Sequence, residues 1–362
     1  MLAAFGLPGQ IFAQSHSNLA SVAGAEAAAA LRSGPRQDAV DAALAWAAED
    51  GNRILTLADD AYPKALLEIP DPPVVLYVKG DPALFDHPAL AMVGSRTPTA
   101  QGEANAEAFA RSLAESGLTV VSGLALGIDA AAHRGALAAA GGVTVAVIGT
   151  GIDRIYPAAN ETLAREIAAR GALLSEFPLG TPPIRHNFPR RNRLIAGLAQ
   201  GVLVVEATLN SGSLITARLA LDAGREVFAI PGSIHSPLAR GCHRLIRQGA
   251  KLVETAEDVF EELRGRLGAA LPPRQEKPAR TRRAATHAPR PQPSPPPVDL
   301  PPDTARVLAA LGPDPRDIDS LALATALPVE ALHAHLLTLE LEGLATRQAG
   351  GGFVRLHVSR DS

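Results

Sequence analysis

The chain has 362 residues, a length that favours two or three domains. Hydrophobic residues make up 47% and charged residues 20%, a composition that is typical of a soluble globular protein and excludes a disordered or fibrous chain. The net charge of -3 does not by itself indicate a nucleic-acid partner, and the single cysteine, Cys242, excludes intrachain disulfides and cysteine-rich zinc sites. No stretch approaches the ~18 to 20 apolar residues that span a bilayer, and the N-terminus lacks a signal-peptide pattern, so we expect a cytoplasmic protein with no membrane segment.

The N-terminal segment, residues 1–57, is rich in alanine and helical in pattern. A helix through Leu19 and Ala23 ends before Gly24, and a second helix runs to Leu31. These residues are too few to bury a core of their own, so we expect them to pack on the domain that follows.

Apolar strand-like runs alternate with amphipathic helical stretches in the next segment, residues 58–266. The runs are LAMVG (90–94), LTVVS (118–122), VTVAVIG (143–149), ALLS (172–175), GVLVVE (201–206) and EVFAIPG (226–232). They are rich in valine and isoleucine, which is typical of buried strands. Because strands and helices alternate, we predict an α/β fold with a mainly parallel sheet covered by helices.

The loops after the strands are where an open parallel sheet binds ligands. The first of them is Gly94-Ser95-Arg96. The glycine allows the backbone to approach a ligand, the serine offers a hydroxyl and the arginine brings positive charge to the sheet edge. A tight turn with a surface arginine explains the same residues equally well.

An arginine cluster precedes the fifth strand-like run, in the sequence IRHNFPRRNRLIAGL. Its members are Arg185, Arg190, Arg191 and Arg193. No acidic residue occurs between Glu176 and Glu206, and Phe188 lies inside the cluster. An aromatic ring among arginines suits base stacking combined with phosphate neutralisation, so we predict a nucleic-acid contact here. Burial of Phe188 in the core is the alternative.

The loop after GVLVVE contains small polar residues directly before a predicted helix. The residues concerned are Ser211, Gly212, Ser213 and Thr216. Backbone N–H groups and hydroxyls at a helix N-terminus form an anion site, which the helix dipole reinforces, so we predict a phosphate-binding loop. An ordinary serine N-cap would explain one of these serines but not the run.

Several enzyme motifs can be tested against the sequence and set aside. There is no GxxxxGK[ST] and no GxSxG, and Arg154 replaces the third glycine of a dinucleotide fingerprint that would begin at Gly149. Asp129 and His133 lie four residues apart on one predicted helix, but without a third ligand nearby we favour structural hydrogen bonds over a metal or acid–base pair. We therefore predict no catalytic residue, no metal and no cofactor.

A proline-rich segment, residues 267–302, separates two folded units. Eleven of the 32 residues from 271 to 302 are proline, which is typical of a stiff, extended linker. The segment also carries arginines at positions 274, 280, 282, 283 and 290. We expect a solvated tether that contributes little to nucleic-acid affinity.

The last unit, residues 303–357, has the pattern of three helices and a hairpin. The helices are predicted over 303–311, 317–327 and 329–341, and AGGG (349–352) turns between two short strands. This order predicts a winged helix. The third helix contains Glu330 and Glu340 and no Lys or Arg, so we expect a protein-contact or regulatory module rather than a strong duplex binder.

Eight sequence blocks between residues 62 and 233 carry the most specific signal in the chain. They are YPKAL (62–66), AMVGSR (91–96), SGLALGIDAAAH (122–133), AVIGTGIDRIYP (146–157), SEFPLG (175–180), FPRRNRLIAGL (188–198), VVEATLNSGSLITA (204–217) and VFAIPGS (227–233). Together they resemble the DNA-processing protein A (DprA/Smf) family. The opening LAAFGLPGQIFAQS resembles the middle of that family's helical, SAM-like N-terminal domain, so we expect its first helices to be missing.

The resemblance implies an extended Rossmann-like domain that binds single-stranded DNA and forms a homodimer. It also implies that the protein protects incoming DNA in competent cells and loads RecA recombinase on it during natural transformation and recombination. Carried over by position, the residues that would contact DNA are Gly94, Ser95, Arg96, Arg185, Asn187, Phe188, Arg191, Asn192 and Arg193. The alternative is a Rossmann-like enzyme that cleaves nucleoside monophosphates, with Glu206 or Asp129 as its acid or base.

Overall fold

The computed structural model of the chain describes residues 1–6, 8–267, 300–312, 316–347 and 352–355. The predicted linker over 267–302 therefore lies almost entirely outside the described residues, and so does the tip of the predicted hairpin. The boundaries predicted for the four segments stay predictions.

The N-terminal segment folds into short helices. They are α1 (Leu2–Phe5), α2 (Pro8–Phe12), α3 (His16–Ala23), α4 (Ala25–Arg32) and α5 (Gln37–Ala47). The Ser15 side chain caps α3 by accepting a hydrogen bond from the Asn18 N–H, and Gly24, at φ +84°, ends it. The buried core of this segment is small and is formed by Ile11, Leu19 and Ala28.

A nine-stranded sheet forms the centre of the chain. Its strands are β1 (Asn52–Thr56), β2 (Val75–Gly80), β3 (Ala89–Val93), β4 (Thr119–Ser122), β5 (Thr144–Val147), β6 (Ala172–Ser175), β7 (Gly201–Val204), β8 (Glu226–Ala229) and β9 (Lys251–Leu252). Their order is β1-β2-β6-β5-β4-β3-β7-β8-β9. In this spatial order, all neighbouring strands from β6 through β3 to β9 pair in parallel, whereas β1 and β2 add an antiparallel edge. The predicted mainly parallel α/β sheet is confirmed, and the six predicted strands correspond to β3–β8.

Helices cover both faces of this sheet. They are α6 (Ala100–Glu115), α7 (Ile128–Ala138), α8 (Glu161–Arg170), α9 (Asn187–Leu198), α10 (Gly212–Asp222), α11 (Arg240–Arg247) and α12 (Ala256–Leu267). Alternate residues of β3 show the two faces, because Ala91 packs with residues of α9 and α10 whereas Leu90 and Met92 pack with α6 and α7. A strand buried on both faces has no polar side, which explains its continuous apolar run.

The strand order reverses beside β3. From β3 to β6 the chain moves outward on one side of the sheet, and it then returns to place β7 against the other edge of β3. The connections that leave β3 and β7 consequently diverge at the carboxyl ends of these two strands, which opens the crevice where doubly wound sheets bind ligands.

The C-terminal residues form α13 (Pro302–Ala310), α14 (Ile318–Thr325), α15 (Val329–Leu341) and the antiparallel strands β10 (Ala345–Arg347) and β11 (Phe353–Arg355). Leucines of α14 and α15 pack with Val307 and Phe353 in one core. In the part of the chain that the structure describes, no single helix is long and apolar enough to cross a bilayer. Helices α14 and α15 pass that test only as a pair bent by 102°.

Candidate nucleic-acid interface

A cavity of about 350 Å³ opens where β3 and β7 end. Its walls come from the loop after β3, the first turns of α9 and the N-terminus of α10. The predicted residues that line it are Gly94, Ser95, Arg96, Phe188, Arg191, Asn192, Ser211, Gly212, Ser213 and Thr216. Segments more than a hundred residues apart in sequence therefore meet at the predicted edge of the sheet.

The Phe188 ring lies half-buried between two partners at this cavity. The guanidinium carbon of Arg96 lies 5.9 Å from the ring centroid, over its face, and the Tyr156 ring centroid lies 5.6 Å away. A Cβ on Gly149 would lie 2.9 Å from the Phe188 Cδ1 atom, so only glycine leaves room for the ring there. Phe188 is neither fully buried in the core nor freely exposed, and its position suits contact with a planar ligand.

Arg191 lies at the floor of the cavity and is only 5% exposed. It donates from Nη2 to the Gly123 carbonyl at 2.8 Å, and its Nε has no partner among the described residues. Burial lowers the pKa of Arg191 to about 10, and the nearby Asp129 carboxylate opposes that shift. A buried cation with an unsatisfied donor favours the entry of an anion.

Asp129 and His133 have structural partners, as expected for the start of α7. The Asp129 carboxylate accepts from the N–H groups of Gly123 at 3.1 Å and Ala125 at 3.3 Å, and burial raises its pKa. The fully buried His133 bonds through Nδ1 to Thr144 Oγ1 at 2.7 Å. Burial lowers the pKa of His133 to about 3, so its ring is neutral at pH 7. Gly123 therefore connects the two side chains: its N–H donates to Asp129, and its carbonyl accepts from Arg191.

The N-terminus of α10 forms the opposite wall of the cavity. Ser211 caps this helix by accepting from the Ser213 N–H at 3.3 Å, and the two hydroxyls lie 2.6 Å apart. Ser213 and Thr216 are buried. The serine N-cap is therefore present, and it lies beside Arg96 and Arg191 in one cavity, which suits a negatively charged group.

Three predicted DNA contacts are not among the residues that line the cavity. Arg185 is exposed in the loop before α9, and Asn187 is buried at the first position of that helix. Arg193 is 13% exposed and forms an ion pair with the buried Glu176, which Arg190 also approaches at 3.5 Å. Their DNA contacts stay predictions. The acidic partners of the arginine cluster are therefore Glu176 and, at 3.6 Å from Arg193, Asp71; both precede the cluster in sequence and meet it only in the fold.

Two further residues near this edge of the sheet went unrecognised in the sequence. Tyr156, from the loop after β5, contacts Phe188; its position after a predicted strand was the available signal. Thr99 was not singled out either, yet it donates from its N–H and hydroxyl to the Glu206 carboxylate at 2.9 and 2.6 Å. Glu206 thereby ties β7 to the start of α6 and lines a separate cavity of about 540 Å³.

Comparison with known proteins identifies the family. A family model described as DNA recombination-mediator protein A matches residues 53–264, and one described as the DprA winged helix domain matches residues 290–351. Protein Smf of Escherichia coli is 41% identical over 331 residues, which are 90% of this chain and 84% of that protein. The DNA processing protein DprA of Streptococcus pneumoniae is 51% identical over 207 residues, covering 57% of this chain and 73% of that protein.

Solved structures agree with these relatives. The X-ray structure of the Streptococcus pneumoniae protein superposes with a TM-score of 0.58 at 44% identity, covering 68% of this chain and 90% of the other. The Helicobacter pylori DprA structure, described for its single-stranded DNA binding mode, gives a TM-score of 0.53 at 34% identity over 58% of this chain and 95% of the other. The chain thus belongs to the DNA recombination-mediator protein A (DprA/Smf) family of DNA-processing proteins, with the family's winged-helix domain at its C-terminal end.

Proposed function

We propose that this protein binds single-stranded DNA at the cavity between β3 and β7 and acts there as a recombination mediator, not as an enzyme. One observation carries the proposal. A buried cation (Arg191), an exposed cation (Arg96), an aromatic ring (Phe188) and the N-terminus of α10 line a single cavity. The Helicobacter pylori relative described with a single-stranded DNA binding mode supports it.

The strand would be held mainly by its phosphates. A phosphate enters between Arg96, Arg191 and the N-terminus of α10, where N–H groups and the Ser213 hydroxyl donate to it. The base of that nucleotide stacks at Phe188. Because these groups recognise a backbone charge and an aromatic face, the binding carries little sequence preference. A duplex keeps its bases paired and stacked on each other, so it fits this site less well.

The positions of the candidate acid and base support binding over catalysis. Glu206 accepts two hydrogen bonds from Thr99 and lines the separate cavity, away from the loop that would hold a nucleotide phosphate. Asp129 does line the DNA cavity, but it accepts two backbone N–H groups that order the loop after β4. A panel of nucleoside monophosphates tests the enzyme alternative, and we expect no released base or ribose phosphate.

The proposal includes two partners, RecA recombinase and a second copy of this chain. A homodimer places two such cavities on one particle, and each holds a separate stretch of strand in the cytoplasm while RecA assembles beside it. Family membership supports both partners.

The test is fluorescence anisotropy with a labelled poly-dT strand and its duplex at several salt concentrations. Wild type should bind the single strand more tightly, with strong salt dependence. Phe188→Ala should lower the affinity by about 1 to 3 kcal/mol, and Arg96→Ala should reduce the salt slope by about 0.7.

The control is Arg218→Ala, which removes an exposed arginine that pairs with Asp222 on α10. It should bind like wild type. Absence of single-strand binding by folded wild type would refute the proposed function. Unchanged affinity in Phe188→Ala would remove that ring from the site.

A further inference from the structure

The loop after β5, residues 149–157, presents an aromatic residue that the proposed cavity does not use. Tyr156 is 47% exposed, and its hydroxyl makes no hydrogen bond to any other residue in the described ranges. The chain has only three tyrosines. A half-exposed ring without a hydrogen bond adds little to folding, but it offers a flat face to a ligand.

The Tyr156 and Phe188 rings offer one stacking position each and cannot share a base between them. The centroids of Tyr156 and Phe188 lie 5.6 Å apart, and their planes meet at 46°. A base inserted between them would need about 3.4 Å on each side, which exceeds this spacing. Each ring can therefore receive a base of its own, and neighbouring bases would stack on the protein instead of on each other.

Hydrogen bonds within the loop and to a neighbouring loop order the residues that precede Tyr156. Thr150 Oγ1 donates to the Arg154 carbonyl at 2.5 Å. The Gly180 N–H donates to the two carboxylate oxygens of Asp153 at 2.8 and 3.0 Å. A loop that is already ordered loses little conformational entropy when a ligand arrives.

Arg154, two residues before Tyr156, supplies positive charge to the same loop. Its side chain is exposed, and no carboxylate of a described residue lies within 4.0 Å of it. Exposed Arg134 and Arg165 pair with glutamates, whereas Arg154, like Arg111 and Arg185, forms no ion pair among the described residues. An unpaired arginine beside an exposed ring combines the two groups that a nucleotide needs, a cation for the phosphate and a face for the base.

The strand order puts this loop in line with the cavity. The carboxyl ends of β5, β4, β3 and β7 are successive along the sheet, and three spacings of about 4.8 Å span about 14 Å. The side chains shorten this distance, because the Tyr156 and Phe188 ring centroids lie only 5.6 Å apart. A strand anchored between β3 and β7 therefore reaches Tyr156 with the nucleotide next to the anchored one.

We infer that Arg154 and Tyr156 form a second nucleotide subsite for single-stranded DNA, distinct from the cavity at Phe188. The inference rests on the proposed function. Tyr156 stacks on the base next to the one at Phe188, because the two ring centroids lie 5.6 Å apart, and Arg154 neutralises an adjoining phosphate. The second subsite extends the contact along the carboxyl edge of the sheet from β7 towards β5.

The experiment measures how affinity depends on strand length, by competition of thymidine monophosphate (dT1) and dT6 against labelled poly-dT. Tyr156→Leu should weaken dT6 roughly 5- to 150-fold, as expected for the loss of one stacked base, and leave dT1 within about twofold of wild type. Tyr156→Phe keeps the ring and should bind both competitors like wild type. Arg154→Ser should weaken dT6 and lower its salt slope by about 0.7, whereas Arg218→Ser should change neither.

A spectroscopic measurement separates stacking from a general change in the fold. A 2-aminopurine placed along dT6 should be quenched at one position by wild type and Tyr156→Phe but not by Tyr156→Leu. Equal losses for dT1 and dT6 in Tyr156→Leu, or unchanged dT6 affinity, would overturn the second subsite while leaving the Phe188 cavity intact. Failure of wild type to bind labelled poly-dT would instead overturn the proposed function.

Discussion

A methyl group at Gly123 would collide with the buried guanidinium of Arg191. A Cβ built on Gly123 lies 2.5 Å from the Arg191 Cζ and 2.7 Å from Nη2, with Nη1 closer still. Arg191 is 5% exposed and donates to the carbonyl of the same glycine. Gly123→Ala must therefore either compress the guanidinium or expel it from the floor of the cavity.

Both outcomes destabilise the fold by similar amounts. Overpacking of a tight site costs about 1 to 3 kcal/mol, and loss of a charge-assisted hydrogen bond costs about 1.5 to 3 kcal/mol. Because movement of the side chain relieves the first cost by incurring the second, the two do not add. We expect Gly123→Ala to lower the free energy of unfolding by about 2 kcal/mol and to weaken single-strand binding.

The assay is a double-mutant cycle of Gly123→Ala and Arg191→Ala, with unfolding followed in denaturant. Trp46 is the only tryptophan; it packs against Tyr77 of β2 at a centroid distance of 5.7 Å, so its fluorescence reports on the sheet. Without the guanidinium the added methyl has space, and Gly123→Ala should cost close to nothing in the Arg191→Ala background. An equal cost in both backgrounds would refute the argument.

Three further results are expected. The buried His133 is held neutral with a pKa of about 3 but protonates near pH 6.5 in the unfolded chain, so its contribution to stability is present above pH 6.5 and is lost as pH falls. Between pH 7 and 5 the free energy of unfolding of wild type, measured by denaturant titration, should fall by about 2 kcal/mol more than that of His133→Gln. Parallel falls in the two proteins would contradict this. Arg193→Ala should lower the free energy of unfolding by about 3 kcal/mol because it leaves Glu176 buried without its main partner; unchanged stability with lost DNA affinity would instead support its predicted DNA contact. Deleting residues 303–362 should leave single-strand affinity within about twofold by anisotropy, and a tenfold loss would assign DNA contacts to the winged helix.

The central strands were predictable because burial on both faces leaves an unmistakable pattern. LAMVG and LTVVS became β3 and β4 to within a residue or two at each end. The edge strands were missed. In β1, buried and exposed positions are mixed, and both residues of β9 are exposed. Strands with so little burial carry no continuous apolar run to recognise.

The winged-helix residues were also readable in advance. The pattern predicted a helix over 317–327, and α14 spans Ile318–Thr325 with Asp317 accepting from the Ser320 N–H as its N-cap. Capping residues and apolar spacing act over a few positions, so they are visible in sequence. The predicted linker, in contrast, lies outside the described residues.

The sequence by itself determined which loops carry the candidate chemistry, because in a parallel α/β sheet the loops after the strands meet at one edge. It placed Arg96, Phe188, Arg191 and the serines of α10 at that edge. Only the tertiary structure decided which side chains share a cavity and which are occupied elsewhere. It paired Arg193 with Glu176 and set Tyr156 beside Phe188. The physical reason is that pairing and burial depend on distances across the fold, whereas the local pattern specifies only each residue's own strand, turn or helix.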